Sequence, residues 1–194
     1  MPAADPGGRL PLLAPATLNP DARAHYDRLA GGRLVGASPF TSRTEAGALI
    51  GPFNAFLYAP VIGGGFIDFH EAEERATPLS KRVREVVILS VGAVWGSAYE
   101  LYAHQAVAAK VGFEPAAVAA LAAGHPCDLL SEDERTAQHF TLELARDRAV
   151  GDATYAAAEQ AFGREGLVAL TFLAAAYTVT CTMLNAFAVP APAQ

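Results

Sequence analysis

Glu100 and His104 stand four residues apart in Glu100-Leu101-Tyr102-Ala103-His104, inside a strongly helical stretch, 97–112. That spacing puts a carboxylate and an imidazole on one helix face. At about 100° per residue, the same arc holds Ser97, Leu101, Ala108 and Val111, whereas Tyr99, Ala106 and Lys110 fall on the other side. The ionisable pair is therefore expected on the apolar face. Burying it costs several kcal/mol unless the groups are paired and hydrogen-bonded. An imidazole held beside a carboxylate is suited to moving protons, because the acid favours the imidazolium and fixes its orientation.

A second acid, Glu85, falls on the preceding helix, on the face of Ile88, Leu89, Gly92 and Gly96. The two glycines remove side chains from that face, so another helix or a ligand can approach closely. A pocket between the two helices follows. Two other readings stay open: Glu85 pairs with Arg82 or Arg84 on the helix surface, and Glu100/His104 is an ordinary i,i+4 pair.

Other patterns carry less. His70-Glu71-Ala72-Glu73-Glu74 begins like a zinc-protease helix, but Glu74 stands where the second histidine belongs, which leaves a solvated face. His125 and Cys127 lack two further ligands at a metal-site spacing. Gly63 to Gly65 follows no strand and lacks the lysine or third glycine of a phosphate-binding loop, so it reads as a bend. No G-x-S-x-G elbow is present. No metal or organic cofactor is expected.

The elements that must hold these groups are helices. Strand signals are nearly absent, and Ala-rich helical patterns are broken at intervals by Pro and Gly. The fold class is all-α, a single-domain bundle. An extended arm, 1–20, precedes the helical domain, 21–189, and a short tail, 190–194. A short amphipathic helix over 21–31 leads to a Gly-rich turn, and 44–58 starts the compact body. A helix over about 66–76 ends at Thr77-Pro78, and Ser80 opens the next. That helix, 80–96, is apolar all round beyond Val86, which makes it central. Gly96 and Ser97 break it before the Glu100/His104 helix, which Gly112 ends. Pro115 starts a short helix, Ser131 to Glu134 forms a capping box, Asp152 caps another helix, and the last long one follows Gly163.

Of 194 residues, 52% are hydrophobic and 18% charged, long enough for a core without disulfides. So little charge suggests that surface is buried again by self-association, so a homo-oligomer is expected. The net charge of −6 offers no basic stripe for phosphate counterions, and nucleic acid is not an expected partner. Cys127 and Cys181 are isolated, which fits the reducing cytoplasm. The charge-free stretch 167–189 is long enough to cross a bilayer. Its threonines, Tyr177 and Asn185, without flanking Lys/Arg clusters, favour a core or interface helix over a membrane span.

The run from Arg84-Glu85 through Ser97 and Tyr99-Glu100-Leu101-Tyr102-Ala103-His104 to Gly112 resembles the carboxymuconolactone decarboxylase superfamily, which includes the alkylhydroperoxidase (AhpD-like) proteins. The resemblance is strongest over 77–112 and implies an all-α homo-oligomer, a dimer, trimer or hexamer. In peroxidase members a glutamate, a C-x-x-C pair and a histidine form a proton relay to a redox thiol. Glu85 matches that glutamate and His104 the histidine, while Ser97 and Glu100 occupy the cysteine positions. A serine provides no thiolate, so thiol peroxidase activity is not expected. The E-L-x-x-H form resembles the decarboxylase members, which need no cofactor. It implies His104 as general acid/base, Glu100 as its partner or second proton carrier, and Glu85 as a relay or orienting acid. Ser97 and Trp95 would line the pocket, and Arg82 or Arg84 would hold a small organic acid or lactone. A non-catalytic oligomer with these groups sealed from solvent is the rival expectation. A residual antioxidant role for Cys127 or Cys181 is a third.

Overall fold

The structure, a computed structural model, describes residues 5–192. The outermost parts of the expected arm and tail, 1–4 and 193–194, lie outside the described residues. Nine helices follow in order among them: α1 (Pro20–Gly31), α2 (Arg33–Gly36), α3 (Pro52–Tyr58), α4 (Pro60–Ala76), α5 (Lys81–Trp95), α6 (Ala98–Lys110), α7 (Pro115–Ala122), α8 (Glu132–Asp147) and α9 (Asp152–Ala186). The all-α expectation holds; an isolated bridge between Arg43 and Leu49 is the sole β pairing among the described residues.

The central helix is α5, as its all-round apolar sequence requires. Val86, Val87, Ile88, Leu89 and Val91 are each almost wholly buried. They pack chiefly against α8 and α9, with α6 and α7 completing the shell. Ser80 caps α5 by accepting from Val83 N at 3.2 Å. The chain leaves α5 through Gly96 in the left-handed region (φ 58, ψ 34) and re-enters a helix at once with Ser97 as N-cap. This reversal lays α6 beside α5. Gly92 allows the close approach: a Cβ there would stand 3.1 Å from Leu101 Cδ2 and 3.6 Å from Glu100 Cγ. The Ser131–Glu134 capping box at the start of α8 forms as expected.

A second cluster joins α1–α4 through Leu29, Val35, Leu49, Phe53, Phe56, Leu57 and Ile67. Gly63, Gly64 and Gly65 do not bend the chain; they lie inside α4, which Pro60 starts. A glycine in a helix costs up to about 1 kcal/mol. Packing offsets this, since Gly63 lets α4 settle on Phe56, whose Cβ would be 2.7 Å from an added Cβ. The start of the body, 44–58, is a turn with the Arg43–Leu49 bridge, and helix begins only at Pro52. Asp152 is not the cap of α9: Gly151 is, and its N–H is held by Glu143 Oε1 at 2.6 Å. Gly163 (φ 65, ψ 176) breaks helical geometry within α9, so the charge-free stretch does follow a break.

The arm lies on the body. Leu13 N–H donates to Asn54 Oδ1 at 3.1 Å, and Asn54 Nδ2 donates to Pro11 O at 3.2 Å. Tyr99 was expected opposite the apolar face, yet it is only 1% exposed. The reason is tertiary: the loop before α3 covers that side of α6, and the Tyr99 hydroxyl donates to Thr41 O at 2.9 Å.

Candidate active site

Glu85, in the second turn of α5, and His104, in the middle of α6, are brought together by the Gly96–Ser97 reversal. His104 Nδ1–H donates to Glu85 Oε2 at 2.8 Å. His104 Nε2 lies 3.2 Å from Glu100 Oε1, a charge contact whose geometry falls short of a hydrogen bond, so Oε1 stays buried without a donor. One imidazole thus faces two carboxylates, all three side chains being largely buried. The surface alternative for Glu85 is not what forms: Arg84 pairs with Glu73 and Arg82 with Glu134.

Burial and charge set the protonation states. Burial lowers the His104 pKa, but the Glu85 and Glu100 carboxylates outweigh it, and the net direction is upward. Burial pushes Glu100 up to about 7, with His104 acting against and Glu85 adding to the rise. A carboxyl that exchanges its proton near neutrality beside an imidazolium is poised for general acid–base work.

The cluster is not sealed. A cleft of about 680 Å³ opens onto Glu85, Glu100 and His104. Apolar wall comes from Phe40, Phe53, Phe56, Ile67 and Ile88, and Lys81 and Lys110 also border it. Arg84 reaches the cleft with its charge committed to Glu73. Arg82 borders the cleft too, but its guanidinium is bound to Glu134 at 2.6 Å and to Gly112 O at 2.8 Å, over the Phe113 ring. Neither arginine offers an uncommitted charge to a substrate.

Two expected lining residues are placed elsewhere. Trp95 ends α5 and is 36% exposed, with its carbonyl accepting from Asn185 Nδ2 at 2.7 Å; it does not border the cleft. Ser97, at the N-cap position of α6, is wholly buried and does not border the cleft, and its Oγ has no hydrogen-bond partner. Cys181 is also buried, and burial holds its thiol well above the ordinary range, with Glu100 adding to the shift. Cys127 is buried in the same hydrophobic core and does not border the cleft.

Three residues were missed. His70 and Glu73, read as part of a solvated face, point inward from α4: Glu73 holds Arg84, and His70 borders the cleft. Burial, then the charges of Arg84 and His104, lower the His70 pKa to about 4, so it is neutral near pH 7. Tyr177 from α9 completes the wall, its ring edge-on to His104 (5.1 Å between centroids) and His70 (5.4 Å). The usable signal was that the charge-free stretch, 167–189, nonetheless carries a tyrosine among its apolar residues.

Similarity to solved structures reaches nearly the whole chain. An uncharacterized peroxidase-related protein from Ralstonia eutropha JMP134, described as an alkylhydroperoxidase AhpD core, superposes with a TM-score of 0.75 at 19% identity, covering 96% of this chain and 93% of that one. A peroxidase-related protein from Silicibacter sp. TM1040 gives 0.74 at 15% identity, covering 97% and 93%. The fold is AhpD-like. The debrominase Bmp8, in complex with 2,3,4-tribromopyrrole, is more distant, with a TM-score of 0.57 at 16% identity over 73% of this chain and 76% of its own. No family model and no curated protein matches the sequence. Within this AhpD-like fold, α5 and α6 carry Glu85, Glu100 and His104, and α4 and α9 supply His70 and Tyr177.

Proposed function

We propose that this chain is a cofactor-independent acid–base enzyme of lyase type, acting on a small organic acid or lactone. The observation that carries the reading is the cleft reaching an imidazole flanked by two carboxylates. His104 is the general acid/base, Glu85 orients and charges it, and Glu100 is the second proton carrier. In a decarboxylation the C–CO2 bond breaks, its electron pair enters an adjacent carbonyl group, and carbon dioxide leaves. The proton held by His104 and Glu100 then goes to the carbon. Isomerisation, dehydration or cyclisation uses the same groups.

Lys81 and Lys110, which make no ion pair among the described residues, replace Arg82 and Arg84 as the cations for an anionic substrate. The debrominase complex supports a small ring as a ligand size this fold accepts. The rival, a sealed polar network in a non-catalytic oligomer, is disfavoured by the same cleft. Residual thiol chemistry is disfavoured by the burial of both cysteines, and a Cys127→Ser/Cys181→Ser variant is expected to match wild type in a peroxide assay. The test is turnover against a panel of small lactones and carbonyl acids. His104→Ala and Glu100→Gln should fold and lose on the order of 10²–10⁴-fold in kcat; full turnover by both on a confirmed substrate defeats the proposal.

A further inference from the structure

We propose that Tyr177 is a catalytic residue of this site, its hydroxyl donating the hydrogen bond that holds the oxyanion formed during proton transfer. The inference rests on the acid–base reading above and adds a group that reading lacks. When a C–H or C–CO2 bond breaks next to a carbonyl, the electron pair moves onto the carbonyl oxygen, which becomes negative. That oxygen needs a donor fixed in place beforehand in a site shielded from water. Return of the electron pair to carbon, with a proton from His104 or Glu100, restores the carbonyl and releases the tyrosine.

The chain has six tyrosines, and their hydroxyls differ in use. Tyr26 donates to Gly47 O, Tyr58 to Pro11 O and Tyr99 to Thr41 O, while Tyr102 accepts from Thr41 N. Tyr155 lies on the surface. Tyr177 borders the cleft, and among the described residues its hydroxyl has no protein partner, yet it is not one of the fully enclosed orphan atoms. Tyr177 is half-buried with this hydroxyl left open, so a ligand entering the cleft can supply the partner the protein does not.

The ring is also held. His104 and His70 pack edge-on against it at interplanar angles of 87° and 88°. Glu85, Glu100, Arg84 and Glu73 are near enough to act on the phenol electrostatically. Burial first, then the two site carboxylates, raises its pKa well above the ordinary value, so the group stays a donor at working pH. The cleft holds a small ring with space to spare at about 680 Å³.

Pentafluorophenolate serves as the probe, a ring bearing an oxyanion that is followed by fluorine NMR. At roughly pH 6, below the Glu100 value of about 7, Glu100 is mostly neutral and the probe is largely ionised. Wild type is expected to bind it, with a fluorine–proton Overhauser effect to the Tyr177 ring. Tyr177→Phe keeps the ring on which both histidines pack, and should weaken binding on the order of 10- to 100-fold, the worth of a hydrogen bond to a charged group. Equal affinity in the variant, no binding to wild type, or no contact with Tyr177 overturns the proposal. The two readings fail separately. If Tyr177→Phe keeps binding and turnover while His104→Ala loses turnover, the donor is wrong and the acid–base reading stands. If Tyr177→Phe loses binding while His104→Ala and Glu100→Gln turn over fully, the acid–base reading falls.

Discussion

At the residue scale, the protonation of Glu100 links the site to stability. Its folded pKa is about 7 against an ordinary 4.5, so between those values the folded state binds more protons than the unfolded one. Stability from this group is therefore present at low pH and lost as pH rises through the window, by about 3 kcal/mol at most. His70, lowered to about 4, works in the opposite direction as pH rises, so the total curve mixes the two. The difference between wild type and Glu100→Gln isolates the effect. Chemical denaturation at several pH values should show the variant gaining on wild type from about pH 4.5 to about 7 and then levelling. A pH-independent difference would contradict the assigned burial. Glu85, Glu100 and His104 were legible because helical periodicity and a glycine break place them on facing surfaces. His70 and Tyr177 were not, because they reach the cleft only through the packing of α4 and α9 around α5 and α6.

At the element scale, the sequence showed where helices stop better than where they continue. Gly96 and Gly112, both with positive φ, ended α5 and α6 as read. The glycine run in α4 was misread because local propensity weighs against it, while contacts with α1 and α3 act in its favour. Gly65 sits in that helix with open space around it. Gly65→Ala is therefore expected to stabilise the protein by roughly 0.5–1 kcal/mol, read as a raised Tm; a fall would indicate a bend after all. Gly51 is the contrast, with φ +69 and Tyr99 Cε1 only 2.3 Å from an added Cβ. Gly51→Ala should destabilise by more than about 1 kcal/mol, and wild-type Tm in that variant would contradict the packing of the α3 loop on α6. Ser131→Ala removes the cap of α8 and should cost about 1 kcal/mol in the same assay.

At the scale of the whole molecule, the sparing use of charge becomes a surface question. Val168, Phe172 and Val179 leave an exposed apolar row along α9, while other faces of the same helix pack into the core against α5 and α8. That division explains why the segment resembled a membrane span in sequence. We expect self-association through this row. Light scattering should give a multiple of 20.2 kDa, and Phe172→Glu should reduce it. A wild-type monomer at micromolar concentration would remove this expectation and leave the row unexplained.

The central claim is that Glu85, Glu100 and His104 move protons on a carbon acid bound in the cleft. Proton NMR in deuterium oxide tests it most directly, by following exchange at the carbon beside the carbonyl across a panel of small keto acids and lactones. Wild type is expected to exchange at least one member of the panel, and His104→Ala and Glu100→Gln to show no exchange above the uncatalysed rate. Exchange at the wild-type rate in both folded variants, or none by wild type across the panel, would contradict the account.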